Sequence, residues 1–262
     1  MNMKLKLGKK AATYDKRDLQ FAHYRTLAPL PPYPVQFGHE ALIAAKAWLM
    51  LGNGPDNSVT NGFQGAGDCV FAGGDHETML WTTETGKPAK FTGANAIADY
   101  SAVTGYNPND PNTDQGTNVR DALKYRRKTG LIDAAGKRHK IGAYLALEPG
   151  NTDHLYEALY LFGVVGIGIK FPGSAMDQFD AGKPWAVVAA AQIEGGHYIP
   201  LVARRPPYLE CVTWGSIQPM TDQFYATYCD EAWVILSTEM LAAGKSPEGF
   251  DLKQLQADLK AL

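Results

Sequence analysis

The chain has few cysteines, little net charge and no long apolar run. Its three cysteines, Cys69, Cys211 and Cys229, are too few for a disulfide framework or a cysteine-rich zinc site. A disulfide between Cys211 and Cys229 is geometrically conceivable, but a reducing compartment, in which it does not form, fits better. A formal net charge of -2 supplies no basic field. We therefore expect neither nucleic acid nor a membrane as a partner.

A secretory signal and a membrane segment are also missing from the pattern. No run reaches 18 apolar residues, and no apolar stretch follows the lysines of residues 1–10. We expect a protein that is cytoplasmic at synthesis, without a signal peptide. With 262 residues, 45% of them hydrophobic, the chain suits one globular domain or two small lobes around a cleft. We predict a single domain over residues 1–262.

The residue pattern changes character after Gly130. Residues 1–40 are polar and then proline-rich, which predicts an extended N-terminal arm on the surface. Residues 41–130 predict a mainly helical lobe, residues 131–240 a β-rich lobe, and residues 241–262 a C-terminal helical tail. A helical half followed by a strand-rich half predicts an α+β fold, with an antiparallel β-rich second lobe and a cleft between the lobes.

Apolar periodicity and turn residues predict the individual elements. A long loop is expected before Cys69, and loops of that length tend to be functional. We predict helices over 40–51, 70–81, 94–103, 117–128 (with Thr117 as cap), 152–162 and 247–262, strands over 163–171, 185–193, 198–203, 209–214 and 233–236, and a loop over 52–67.

Cys69 directly follows this loop and begins a predicted helix. Aligned peptide dipoles and free N–H groups at a helix N-terminus lower the pKa of a thiol, which makes Cys69 a candidate nucleophile. The preceding Gly67-Asp68 lets backbone approach a bound carbonyl and can direct the Cys69 N–H at a developing oxyanion. The alternative for a lone cysteine at such a junction is a small buried apolar residue.

Two further features lie in the second half of the chain. His197 follows Gly195-Gly196 at a strand start, which leaves one face of the ring open, as a general base requires. The alternative is a histidine held by local backbone. Trp214 stands at a strand end before Gly215, and taken alone this indicates only a core strand that ends at glycine.

Taken in order, these pieces resemble the papain-like cysteine peptidases. His197 lies 128 residues after Cys69, near the separation of about 130 to 150 residues in papain-type enzymes. The chain is most similar to a divergent bacterial and phage branch with a Gly-Asn-Asp-x-x-Gly-Asp-Cys stretch. Gly67-Asp68-Cys69 is intact here, and an insertion separates it from Gly52-Asn53. The resemblance covers about residues 12–240. Its shorter matches are Asp15-Lys16-Arg17-Asp18, Asp114-Gln115-Gly116, Arg120-Asp121-Ala122-Leu123, and the spaced set Thr221, Phe224, Tyr228, Asp230 and Glu231.

One departure from the family pattern concerns the oxyanion. The family places a glutamine six residues before the cysteine, and that position is Phe63 here. Gln64 is the nearest replacement as the oxyanion donor, with Asn61 as the second choice. The resemblance further implies that Gly67, Asp68, Gly196 and Trp214 contact the substrate.

The second departure concerns the group that orients His197. The asparagine of the family corresponds to Val212, which cannot accept the imidazole N–H. Thr213 is the preferred substitute, and Glu210, Asp222 or a backbone carbonyl are the alternatives. Trp214 is expected to shield the histidine edge from water.

The remaining polar candidates are expected to be structural. His76 and Glu77 are neighbours on a predicted helix and do not share a face, so we expect surface or interhelix contacts. His139 and His154 lie in polar stretches and are expected to face solvent. We expect no metal and no cofactor.

The resemblance implies a cysteine hydrolase that cleaves an amide or peptide bond through an acyl-enzyme on Cys69, with His197 as base. The substrate would be a peptide, an isopeptide or a peptidoglycan stem, and acyl transfer is an open alternative to hydrolysis. The competing hypothesis is a weakly active or inactive papain-like scaffold that serves as a structural or binding protein with protein partners in a larger assembly, such as a phage virion. No segment resembles a long inhibitory propeptide, so activation by cleavage is not expected.

Overall fold

The structure, a computed structural model, describes most of the chain. The described residues are 5–25, 33–39, 50–53 and 65–242, together with Lys253 and Ala257. The helix predicted over 40–51, the loop predicted over 52–67 and the tail helix predicted over 247–262 lie largely outside them. Within the described ranges, no helix is long and apolar enough to cross a membrane.

A seven-stranded antiparallel sheet dominates the second half of the described chain. All strands of the described residues, including two outside this sheet, are in chain order β1 (Phe37–Gly38), β2 (Leu131–Ile132), β3 (Arg138–His139), β4 (Ile141–Leu147), β5 (Val165–Pro172), β6 (Ile193–Arg205), β7 (Tyr208–Thr213), β8 (Ser216–Thr221) and β9 (Cys229–Ser237). β2 and β3 form a separate hairpin. The others are ordered β4-β9-β5-β6-β7-β8, with β1 beside β6. Buried and half-buried side chains alternate along β4, because one face of that strand packs on a core.

The α-helices of the described residues are α1 (Phe21–Tyr24), α2 (Cys69–Glu84), α3 (Gly93–Thr104), α4 (Val119–Lys128), α5 (Thr152–Phe162), α6 (Gly173–Asp180), α7 (Asp222–Tyr228) and α8 (Thr238–Ala242). Of these, α3, α4 and α8 pack against α2, which is the central helix. α2 is buried on every side over its first fourteen residues, so it has no solvent-facing stripe. The predicted α+β class with an antiparallel sheet is confirmed.

The sheet has a separate hydrophobic core on each face. Along β6, Ile199 and Leu201 belong to the core that includes α5 and α7. The alternate residues Tyr198 and Val202 belong to the core that includes α2, α3 and α4. Cys69 lies in this second core. Because successive side chains of β6 point to opposite faces, one face of the sheet packs against α2, the helix that begins with Cys69.

Two predicted local features are wrong. No strand forms over 185–193: Trp185 makes an isolated bridge to Met220, and its indole N–H donates to Ala175 O at 2.9 Å. Only Trp185 of this range pairs with the edge strand β8, and the next strand begins at Ile193. The cap of α4 is Asn118, whose side chain accepts from the backbone N–H of Arg120, and not Thr117.

A buried polar joint connects α2, α4 and β6. The Tyr198 hydroxyl donates to Glu77 Oε1 at 2.7 Å, and Arg126 Nη1 donates to Glu77 Oε2 at 2.6 Å. Gly166 of β5 makes room for this contact, since a Cβ there would lie 1.8 Å from Tyr198 Oη. Surface or interhelix contacts are expected for His76 and Glu77. Both residues are buried, and Glu77 makes an interhelix contact.

His139 is not solvent-facing, contrary to prediction. Its ring is buried between two carboxylates, with Nε2 3.0 Å from Asp133 Oδ2 and Nδ1 2.7 Å from Glu239 Oε1. The charged neighbours explain why a histidine in a polar stretch is covered. His154 is half-buried. The cysteines among the described residues, Cys69, Cys211 and Cys229, are free thiols.

The buried joint generates a stability prediction. Arg126→Ala leaves the Glu77 carboxylate buried beside no cation, so we expect the free energy of unfolding to fall by about 3–5 kcal/mol. Arg127→Ala, at the exposed neighbouring position, is the matched control. Urea unfolding followed by far-UV circular dichroism measures both. Equal midpoints for the two variants would show that the ion pair does not hold the helices together.

Candidate active site

Cys69 is the first residue of α2, and Asp68 is its N-cap. The N–H groups of Phe71 and Ala72 bond to Asp68 O at 2.7 and 3.0 Å, which closes the first turn directly above the thiol. A helix of this length has free N–H groups at its first turn, and these lie beside Cys69. The sequence achieves this because the glycine-rich approach ends where the apolar run begins.

Cys69 and His197 line the same small cavity, together with Thr213 and Trp214. The cavity has a volume of about 10 Å³, room for no more than about one water molecule. Both side chains are almost completely covered, with 2% and 1% of their surface exposed. Residues from three distant segments of the sequence thus meet where α2 faces the start of β6 and the end of β7.

The two ring nitrogens of His197 have different surroundings. Nε2 lies 2.7 Å from the Thr213 hydroxyl oxygen. Nδ1 is buried and has no hydrogen-bond partner among the described residues. The Trp214 indole stacks on the imidazole, with ring centroids 4.4 Å apart and planes 15° apart, and Phe171 meets its edge. The ring is therefore fixed in orientation, with one nitrogen unused.

Burial makes both groups neutral in this arrangement. Desolvation raises the pKa of Cys69 to about 12, although backbone N–H groups of Tyr198 and Gly8 oppose the shift. Desolvation lowers the pKa of His197 to about 3. The expectation that the helix N-terminus lowers the thiol pKa is wrong for this state, because the loss of water outweighs the dipole.

A segment of the N-terminal arm covers the thiol. We call residues 5–10 the strap. Lys9 N donates to Gly196 O at 3.0 Å, next to His197, while Thr117 N donates to Gly8 O at 2.7 Å and Lys10 N to Thr117 O at 2.9 Å. The strap therefore bridges the helical and the β-rich lobes. Along residues 5–10 the arm therefore does not lie on the surface, contrary to the expectation of a surface arm.

Glycines allow the strap to approach this closely. A Cβ on Gly8 would lie 1.9 Å from Gly67 O, and one on Gly196 would lie 2.4 Å from Lys9 O. A Cβ on Gly116, whose φ is +71°, would lie 2.3 Å from Gly8 O. Backbone meets backbone along the whole contact, so a single methyl group at Gly8 cannot be accommodated without displacement.

The split motif before the cysteine comes together in space. Ala66 N donates to Gly52 O at 2.7 Å, and the Asn53 amide donates to Ala66 O at 3.0 Å. Asn53 also lines the cavity beside Cys69. The insertion therefore leaves and returns at neighbouring residues, and the Gly52-Asn53 match was the sequence signal for it.

Of the other predicted site residues, some lie near Cys69, some lie away from His197, and some lie outside the described residues. Gly67 donates its N–H to Asp114 and contacts the strap, whereas Asp68 is fully buried with its carboxylate against Gly52. Glu210 pairs with Arg205, and Asp222 lies beside Tyr156, so neither reaches His197. Gln64, Asn61 and Phe63 lie outside the described residues. No group of three or more potential metal ligands occurs among the residues that the structure describes.

Lys9 and Gly8 are the site neighbours that sequence reasoning missed. A glycine followed by two lysines carries no pattern that distinguishes a cleft-bound strap from a surface arm. Only the glycines on the opposite walls, Gly67, Gly116 and Gly196, hint at a close backbone approach.

A central helix that begins with cysteine, and a sheet that presents histidine to it, define the fold of the papain-like cysteine proteases. Among solved structures, the chain is similar to xylellain, a cysteine protease from Xylella fastidiosa, with a TM-score of 0.60, 16% identity, and 90% of this chain and 97% of that chain covered. It is also similar to the cysteine protease CMS1MS2 of Carica candamarcensis (TM-score 0.54, 13% identity, 78% and 99% covered). Procathepsin L 3 of Tenebrio molitor larval midgut is a third (TM-score 0.52, 12% identity, 84% and 76% covered).

The structural likeness shows the fold alone, since the identities are 12–16%. No protein-family model and no curated protein sequence matches the chain. The narrower assignment to a bacterial and phage branch stays a prediction.

The covered thiol generates a prediction about its reactivity. Because the pKa of Cys69 is raised to about 12, alkylation by iodoacetamide should be slow at pH 7 and its rate should still be rising at pH 9. The urea-denatured protein is the control, in which the same thiol should level off above about 8.5. Peptide mass spectrometry measures both. A plateau below pH 7 in the folded protein would instead indicate a preformed thiolate.

Proposed function

We propose that the protein is a latent cysteine hydrolase that cleaves an amide or peptide bond. The observation that supports this most directly is that His197 and Cys69 line the same cavity, while His197 Nε2 is held by Thr213 and Nδ1 has no hydrogen-bond partner among the described residues. The tautomer with hydrogen on Nε2 donates to Thr213 and leaves a lone pair on Nδ1. That lone pair is what a general base needs.

In the proposed reaction, His197 Nδ1 takes the proton of Cys69, and the thiolate attacks the scissile carbonyl carbon. The carbon–nitrogen bond breaks as His197 returns the proton to the leaving amine, which gives a thioester on Cys69. Water then attacks the thioester, His197 takes its proton, and the acid leaves as the proton returns to sulfur. An amine in place of water would give acyl transfer through the same thioester.

The developing oxyanion would be stabilised by the helix N-terminus. The Cys69 N–H belongs to the first turn of α2, where backbone donors and the helix dipole favour negative charge. Gln64 is retained as the proposed side-chain donor. Trp214, stacked on His197, would exclude water from the Nε2 hydrogen bond.

The strap contributes to the burial of the pair. Burial is the largest cause of both shifted pKa values, and the strap places Gly8 against Cys69, although the Gly8 N–H bond by itself lowers the thiol pKa. Departure of the strap would readmit water, which lowers the thiol pKa and raises that of the imidazole. We therefore propose that residues 5–10 hold the site in a latent state.

The second candidate function is an inactive scaffold with structural or binding partners. The neutral thiol and imidazole and the valine at position 212 favour it. The two functions differ in their response to displacement of the strap: a scaffold gains no thiol reactivity, whereas a latent enzyme does.

Gly8→Ala is the variant that tests latency. The added methyl meets Gly67 O, so the strap should be pushed from the cleft. We expect Cys69 alkylation at pH 7 to rise at least about tenfold and hydrolysis of a casein-derived fluorogenic peptide mixture to appear. Gly142→Ala is the matched control, since a methyl there makes only ordinary contacts. Hydrolysis that survives in Gly8→Ala/Cys69→Ala would refute the catalytic role of the thiol.

Thr213→Val tests the orientation of the imidazole. The valine keeps the shape and removes the oxygen beside Nε2, so both tautomers become equally available. Measured in the Gly8→Ala background, we expect kcat to fall about 10–100-fold, part of what a general base contributes, with KM unchanged. Thr213→Ser should restore most of the rate. If valine and serine give equal rates, Thr213 is only a packing residue.

A further inference from the structure

The side chain of Lys9 fills an acidic pocket in the cleft. Only 1% of it is exposed. Its ammonium lies 2.9 Å from Asp230 Oδ1 and 3.1 Å from Glu231 Oε1, and it donates to Lys10 O at 3.1 Å. A lysine that is so deeply buried is uncommon unless charged partners surround it.

The pocket is built by residues that are independent of the strap. Gly168 of β5 leaves the space that the Lys9 side chain occupies, since a Cβ there would lie 2.0 Å from Lys9 Cε. The Trp233 indole N–H donates to Glu231 Oε2 at 2.9 Å and fixes that carboxylate from behind. Asp230 lies beside Glu231 at the start of β9. Three strand positions thus shape a narrow, anionic slot of the length of a lysine side chain.

The slot lies beside the candidate active site. The Lys9 backbone N–H bonds to Gly196 O, next to His197, and the Lys9 charge lies near enough to lower the pKa of Cys69. Lys9 also forms a parallel bridge with Thr117. An extended peptide bound by the same backbone groups would point one side chain into the slot.

Charge makes the slot selective once the strap is gone. Two carboxylates in a buried place repel each other, and burial already raises the pKa of Glu231 even with Lys9 present. Without Lys9, an apolar side chain would leave them unpaired, and an acidic one would add a third negative charge. A primary ammonium is the group that pairs with both the Asp230 and the Glu231 carboxylates.

We propose that this slot is the specificity pocket of the open cleft and that it takes the ammonium side chain of a lysine in the substrate. Lys9 then serves as an internal stand-in for that residue. The inference rests on the proposed function for its consequence in catalysis, but binding of the cation by the slot is a separate property.

Chemical rescue tests the slot without any enzymatic activity. In full-length Lys9→Ala, n-propylammonium chloride has the length of the atoms removed, from Cγ to Nζ. We expect it to raise the thermal unfolding midpoint in a saturable way, while equimolar sodium chloride and 1-propanol do not. Lys9→Ala/Glu231→Gln should lose the saturable part. Equal shifts with propanol, or a shift unaffected by Glu231→Gln, would overturn the proposal.

Peptide cleavage tests the slot in catalysis, and it does not need the Lys9 variants to fold. Peptides that differ at one residue, lysine, norleucine or glutamate, are compared with the Gly8→Ala protein. We expect lysine to be preferred at least about tenfold in kcat/KM, the worth of a charge-assisted hydrogen bond, and the preference to vanish in Gly8→Ala/Glu231→Gln. Cleavage with no lysine preference overturns the slot but not the hydrolase. If no peptide is cleaved, the hydrolase proposal fails and the rescue experiment alone decides the slot.

Discussion

The contact between Tyr198 and Glu77 decides how the two halves of the molecule meet. Tyr198 follows His197 on β6, and Glu77 lies two turns beyond Cys69 on α2, so one hydrogen bond joins the strand that carries the imidazole to the helix that carries the thiol. Arg126 completes the charge balance from α4. A buried ionic group of this kind adds little stability over an apolar replacement, but it tolerates few alternative arrangements.

Close backbone packing imposes a second constraint, and it explains the charges of the site. The cleft walls at Gly67 and Gly196 admit a strand of chain without side chains in the way, and Gly8 fills that space. The thiol and the imidazole are both buried here, and burial is the largest cause of their shifted pKa values. The same packing buries Lys9, which the acidic pair at the start of β9 compensates. The covering of Cys69 and the burial of Lys9 therefore depend on one set of contacts.

The sequence allowed the fold class and the meeting of Cys69 with His197 to be predicted, because the order and spacing of these residues resemble those of the papain-like cysteine peptidases. The range of α5 was predicted to the residue, since its apolar period is regular and its ends are marked by Asn151 and Gly163. The strand over 185–193 failed because a β-branched run without alternation does not reveal whether it joins a sheet. The burial of His139 depends on Glu239, a hundred residues away, and no local pattern contains that information.

The placement of the strap could not be predicted for a related reason. Its affinity for the cleft comes from backbone groups, which every sequence has, and from the absence of side chains on the opposite walls. Lys9 reads as one more surface lysine until Asp230 and Glu231, more than two hundred residues later, are folded against it. The acidic slot and the lysine that fills it thus come from residues more than two hundred positions apart.

The closure of the chain at Gly52 and Ala66 has an evolutionary consequence. Because a backbone hydrogen bond joins the two ends of the insertion, residues between them can be added, lost or exchanged at little cost in loop-closure entropy. The position of Cys69 is set by the chain after that closure, not by the length of chain before it. A lineage could therefore rework this insertion repeatedly while Cys69 keeps its position.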